Sequence, residues 1–214
     1  MKYLLIGLLA IGSVSTFAKA DPIVLRVNLV IPQNSNAVKK EIKRSTRALL
    51  EDCNIQIVPN LISKQDIKSS FPLALSSTKQ HLKLVNSITD TSVHNRSTGT
   101  PLIVFYDRDE SDSLLGIATG MAIGLKFLSS GLTNEEIDRL SNVILINKRY
   151  VSKVKYIFAH ELGHLLGEEH FEGKTRDDAE KNIMSWSRGS NAHFSDEQCS
   201  RMEKRIEDGL LQAL

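Results

Sequence analysis

The chain is predicted to fold as a single α+β domain, on three observations. Its 214 residues suffice for one domain of ordinary size and are too few for two comfortable ones. Short runs rich in Val, Ile and Leu alternate with longer stretches whose apolar residues recur at helical spacing. No internal repeat and no low-complexity linker divides the sequence. Hydrophobic residues make up 41% and charged residues 24%, near the globular averages, which excludes wholesale disorder and a fibrous repeat.

Residues 1–20 read as an export signal. Met1-Lys2 is a positive start, Tyr3 to Val14 is an almost unbroken apolar run, and Ala18-Lys19-Ala20 supplies the small-x-small pattern before Asp21. The run is shorter than the roughly 20 residues that a bilayer span needs. Cleavage would leave Asp21–Leu214, a 194-residue domain that is secreted or periplasmic and has no stable membrane insertion. The formal net charge is +2, and Lys2 and Lys19 both lie in the signal, so the remainder balances to zero. With no basic stripe interleaved with aromatics, nucleic acid is not an expected partner. The charges of Lys39–Lys43 read as a solvated helix face, and Lys148-Arg149 as a short turn.

The elements follow in order. Ile23 to Ile31 is a strand ended by Pro32, and Asn36 to Asp52 is an amphipathic helix with Val38, Ile42, Ala48 and Leu49 on its apolar side. Ile55 to Ile62 is a second strand in which Pro59 marks an edge or an end. Ser63 to Gly99 is rich in Ser, Thr and Lys, with a helix expected around Lys79–Ile88. Pro101 to Tyr106 is a third strand closed by the turn Asp107–Asp112. Ser113 to Ile123 reads as a fourth, edge or bulged, strand weakened by Gly116 and Gly120. Asn142 to Asn147 is the fifth, and Ser152 to Gly167 is a helix capped by Ser152 with a stripe from Val154 through Leu166. The last helix, Asp196 to Leu214, places Met202, Ile206 and Leu210 toward the core.

The chemistry is concentrated on the Ser152–Gly167 helix, in His160-Glu161-Leu162-Gly163-His164. Side chains four apart lie on one face, so both imidazoles can reach one cation. Glu161 stands beside the first of them, able to act on a water there without occupying the metal. Gly167 is placed to end the helix in a left-handed conformation, and the returning chain can offer His170 as a third nitrogen. Three protein ligands with an open fourth position describe a catalytic zinc site, whereas a structural site wants four. His160, Glu161, His164, Gly167 and His170 together fix five positions, which chance would match in such a chain on the order of once in ten thousand. His81, His94 and His193 lie outside any ligand spacing and read as surface or packing residues. Cys53 and Cys199 are the only cysteines. Export permits a bridge, worth about 2–4 kcal/mol, and two buried thiols remain the alternative.

The stretch His160–His170 resembles the extended zinc motif of the metzincin metallopeptidases, and Asn182-Ile183-Met184-Ser185 is similar to their Met-turn. Ile183-Met184-Ser185 and Phe194-Ser195 before Cys199 most resemble the adamalysin, or reprolysin, type. Phe171 stands where that type has Asp, and Trp186 where other branches place a Tyr. The resemblance implies a metzincin-like zincin: a mixed, mostly parallel five-stranded sheet, an active-site helix and a C-terminal helical subdomain. It implies one catalytic Zn2+ on His160, His164 and His170, Glu161 as general base and Met184 as an apolar floor beneath the metal. It also implies that Ser113–Met121 forms the upper rim of a cleft for an extended peptide. Residues 185–190 would wall the pocket past the scissile bond, with Trp186 either there or in the core. Nothing around Cys53 resembles the family's cysteine-switch motif, and no acidic loop marks a calcium site.

The function expected from the residues is therefore an exported zinc endopeptidase acting on protein or peptide, most simply as a monomer. The alternative is a zinc-binding secreted interaction or toxin-like module with little peptidase activity. The intact Glu161 favours the enzyme. A zinc hydrolase of non-peptide substrates suits the expected cleft edge poorly.

Overall fold

The computed structural model describes residues 20–31, 35–62, 100–106, 116–119 and 143–209. Residues 1–19 of the signal-like segment, the helix expected at Lys79–Ile88, the turn Asp107–Asp112, His81, His94 and Leu210 lie outside them. Among the described residues, β1 (Ile23–Val30), β2 (Ile55–Ile62), β3 (Leu102–Tyr106), β4 (Gly116–Thr119) and β5 (Val143–Asn147) form one sheet in the order β2-β1-β3-β5-β4.

Four of these strands run parallel, and β4 alone pairs antiparallel, against β5. The sheet is thus mixed and mostly parallel. Parallel neighbours need a crossover, and α1 (Asn36–Cys53) supplies it between β1 and β2. The register Ile23↔Ile55 runs unbroken to Val30↔Ile62, through the Val27↔Pro59 pair. Pro59 is tolerated because β2 is an edge strand. The central β3 and β5 are apolar on both faces: Leu102 to Phe105 and Val143 to Ile146 are all buried. That is the composition expected of parallel strands covered on both sides.

Over this sheet lie α1, α2 (Ile157–Leu165) and α4 (Asp196–Glu207), and the short α3 (Arg176–Glu180) follows the loop after α2. Phe158 of α2 is fully buried and stacks near Phe105 of β3, with ring centroids 6.3 Å apart. Burying such a ring contributes about 1.5–3 kcal/mol. Cys53, the last residue of α1, and Cys199 of α4 are joined by a disulfide, their Cα atoms 4.7 Å apart. Asp52 reinforces the junction, since its carboxylate accepts from the backbone N–H of Phe194 at 3.0 Å and faces exposed His193.

Two expectations are corrected. The helix does not begin at Ser152: a 3-10 turn at Lys148–Tyr150 runs into irregular turns, and Tyr156 takes a left-handed φ of 57°. Helical spacing continued upstream because Val151 and Val154 pack against the core, not because the backbone is helical there. Nor is the Lys39–Lys43 run a uniformly solvated face. Glu41 in its middle is wholly buried, while Lys39, Lys40 and Lys43 are exposed.

Candidate metal centre

The site is built from α2, the loop after it and the turn that carries Met184. All of α2 except His164 is buried. Its entry is unusual: with Tyr156 at the N-cap, no local side chain caps the helix. Glu41 of α1 serves instead, accepting the Phe158 N–H at 3.3 Å and the Ser45 hydroxyl at 2.8 Å. A carboxylate at a helix N-terminus satisfies an otherwise orphaned donor and complements the dipole. Burial nevertheless raises the Glu41 pKa, against the opposing pull of Ser45, Arg44 and Phe158.

The helix ends as a Schellman motif. Glu168 N–H donates to Gly163 O at 2.9 Å and Gly167 N–H to His164 O at 3.0 Å, with Gly167 at φ 92°. Open space surrounds Gly167, so it is the backbone angle, not crowding, that asks for glycine. This turn returns His170 to the face occupied by His160 and His164.

The three imidazoles converge. His164 Nε2 lies 3.2 Å from His160 Nε2 and 3.1 Å from His170 Nε2. Four-coordinate zinc at about 2.05 Å from each nitrogen would separate them by about 3.3 Å. A carbonyl oxygen only accepts, so His160 Nδ1 donates to Ile183 O at 2.8 Å, with Arg188 Nη1 also 3.2 Å from that nitrogen, and His164 Nδ1 donates to Glu168 O at 2.7 Å. Nε2 of both rings then presents a lone pair, and lone pairs crowded at one point call for a cation. Burial, then the neighbouring Arg188 charge, pushes His160 down to about 2; burial, then His164, pushes His170 down to about 4. Burial lowers His164 as well. The set is therefore neutral and able to ligate. These three form the cluster, among the described residues, that could hold a metal ion.

Met184 lies directly against the helix. A Cβ built on Gly163 would come within 2.5 Å of Met184 Sδ, so Gly163 exists to let the thioether in. The turn itself is tied by Met184 N–H to Asn182 Oδ1 at 2.8 Å and by Phe171 N–H to Met184 O at 3.0 Å. Glu161 is buried beside His160.

Sequence reasoning missed three contributors. Arg188 is buried, donates through Nε to Lys155 O at 2.8 Å and through Nη1 to Ser185 O at 2.9 Å, and faces Glu161 electrostatically. Burial depresses its pKa to about 10. It lay inside the segment expected to wall a pocket, where a buried arginine carries no periodic signal. Glu41 and the Glu168–Arg201 pair were equally invisible, being contacts between distant segments. Trp186 is neither core nor enclosed: it is 67% exposed and stacks on His170. Cys53, being bonded to Cys199, offers no thiolate to the metal.

No known protein family and no curated protein sequence matches the chain. In three dimensions it is similar to metalloproteinase-II from Bacteroides fragilis, with a TM-score of 0.51 and 17% identity. The match covers 86% of this chain and 53% of that one, so this chain spans about half the length of the Bacteroides protein. Archaemetzincin from Methanopyrus kandleri is a second neighbour, at a TM-score of 0.45 and 10% identity, covering 89% of this chain and 99% of its own. The Bacteroides likeness shows a shared fold, which in this chain is a mixed, mostly parallel sheet with helices packed over it.

Proposed function

We propose that the chain is an exported zinc endopeptidase that binds one zinc ion through His160, His164 and His170 and uses Glu161 as general base. The observation that carries the reading is the convergence of three neutral imidazoles, with His164 Nε2 lying 3.2 Å from that of His160 and 3.1 Å from that of His170. Nitrogen donors in this number suit zinc with one position left for substrate. Zinc, when bound, would polarise a carbonyl and acidify a water.

The rest falls to the chain. Glu161, adjacent to the first ligand and buried, takes the water's proton and returns it to the departing amine. Met184 keeps an apolar, unreactive surface under the ligands. β4, at the edge of the sheet, offers main-chain groups to which an extended peptide can add as another strand. Export is supported by the signal-like residues 1–20 and by the disulfide, which persists in oxidising compartments. Within the metzincins, Ile183-Met184-Ser185 and Phe194-Ser195 favour the adamalysin type.

The test is cleavage of a mixed peptide library by the wild-type chain, by Glu161→Ala and by a chelator-treated sample. Wild type should cleave, the chelator should abolish cleavage, and Glu161→Ala should bind zinc yet lose about 100- to 10,000-fold in rate. An equally active Glu161→Ala protein would sink the mechanism. Stoichiometric zinc with no cleavage would favour the interaction module.

A further inference from the structure

We propose that Trp186 is the positioning residue of the third ligand, so that the face of its indole, rather than a hydrogen bond, orients the His170 imidazole. This rests on the zinc reading above.

The three ligands are held in two different ways. His160 and His164 each commit Nδ1 to a backbone carbonyl, Ile183 O and Glu168 O. Among the described residues, Nδ1 of His170 has no such partner; its polar neighbour is His164, through Nε2. Metal-bound histidines almost always engage their second ring nitrogen, which fixes ring orientation. Without that bond the χ2 torsion of a histidine is broad. Another restraint is therefore required, and Trp186 provides it: the two ring centroids lie 3.9 Å apart with planes inclined by 23°. His170 also meets His164 in a T-shaped arrangement, at 4.4 Å and 76°. The imidazole thus contacts both the indole and a second proposed ligand.

The indole is itself aimed by its backbone. Ser185, just before it, accepts the Ser187 N–H on its hydroxyl at 3.2 Å and the Arg188 guanidinium on its carbonyl at 2.9 Å. The Phe171 N–H to Met184 O bond at 3.0 Å links the segment bearing His170 to the one bearing Trp186. At 67% exposure Trp186 adds little to the core; its ring stacks closely on His170 and lies farther from His160, 6.3 Å away and tilted by 54°.

Trp186 is the only tryptophan in the chain, so emission excited at the indole edge reports this site alone. The experiment is competitive titration of zinc against a chromogenic chelator for metal-free wild type, Trp186→Phe and Trp186→Ala. Cobalt titration, read by visible absorption and by quenching of wild-type emission, accompanies it. Trp186→Ala should bind zinc about 10- to 100-fold more weakly, as losses of ligand-orienting partners do. Its metal-free melting midpoint should be unchanged and its cobalt spectrum altered. Trp186→Phe, which keeps a ring face, should recover most of the affinity and the wild-type spectrum. Equal affinities in wild type and Trp186→Ala, or no recovery with Trp186→Phe, would overturn the role of Trp186 while leaving the zinc site standing. A wild-type chain that binds no zinc would overturn the site itself.

Discussion

Arg201 of α4 grips the buried carboxylate of Glu168 with two hydrogen bonds, Nε to Oε1 at 2.9 Å and Nη2 to Oε2 at 2.6 Å. The backbone carbonyl of the same Glu168 accepts the His164 Nδ1 proton. The C-terminal helix thereby reaches His164, a proposed zinc ligand, through a single residue, and the Cys53–Cys199 bridge anchors that helix to α1 two residues before Arg201.

Arg201→Ala leaves this carboxylate buried and unpaired, a loss of about 1–3 kcal/mol, toward the lower end because the guanidinium is partly solvated. Denaturant midpoints should fall accordingly, and zinc affinity with them, as His164 loses its fixed carbonyl. Unchanged midpoints would reduce the pair to a surface contact.

Gly163→Ala forces a Cβ to within 2.5 Å of Met184 Sδ. Alanine is a better helix former by about 1 kcal/mol, so propensity alone predicts a gain. Overpacking costs about 1–3 kcal/mol and should win, because the sulfur is pinned between the helix and its own tied turn. Thermal melts of Gly163→Ala, alone and with Met184→Ala, decide the matter: the second change should relieve the first. Additive losses would count against the clash.

Glu41 predicts a pH dependence. Its folded pKa is raised, chiefly by burial, above the ordinary value. The folded chain therefore holds that proton more tightly, and the group's contribution to stability is present at acid pH and lost as pH rises through the folded value. Glu41→Gln stays neutral and can still accept from Phe158, so its stability relative to wild type should improve between pH 4 and pH 7. Urea midpoints at the two pH values measure it. A relative loss toward neutrality would show that the charge at the helix entry outweighs its desolvation.

The histidines predict the opposite slope. Burial lowers all three, His160 to about 2 and His170 to about 4, so the unfolded chain takes up protons that the folded one refuses. Metal-free stability should therefore fall as pH drops below about 6.5, the ordinary histidine value. Zinc, in contrast, should remain bound at pH 5.5, where exposed imidazoles are mostly charged. Midpoints of the metal-free chain against pH, and zinc retention after dialysis at pH 5.5, are the two measurements. Zinc release by pH 6 would mean that the imidazoles are more open to water than their packing indicates.

Local physics made much of this legible in advance. The His160–His170 spacing encodes its own geometry, since helical turns fix which side chains align and Gly167 fixes where the helix stops. The strands were legible for the same reason, from β-branched runs bounded by turn residues. The start of α2 was not, because a buried irregular turn carries the same apolar spacing as a helix. Nor were Glu41, Arg188 and Arg201, each of which reads in sequence as one more charge on a solvated surface.

The sequence by itself determined the spacing of His160, His164 and His170, the placing of Glu161 beside them, the helix stop and the parts of the sheet. These depend on interactions spanning a turn or a few residues, which chain connectivity enforces. Tertiary structure alone decided the strand order, the Cys53–Cys199 bridge, the caging of Glu168 by Arg201 and the stacking of Trp186 on His170. Those are meetings of distant segments, and what selects them is the burial of a shared apolar core and the cost of leaving a buried charge or ligand without a partner.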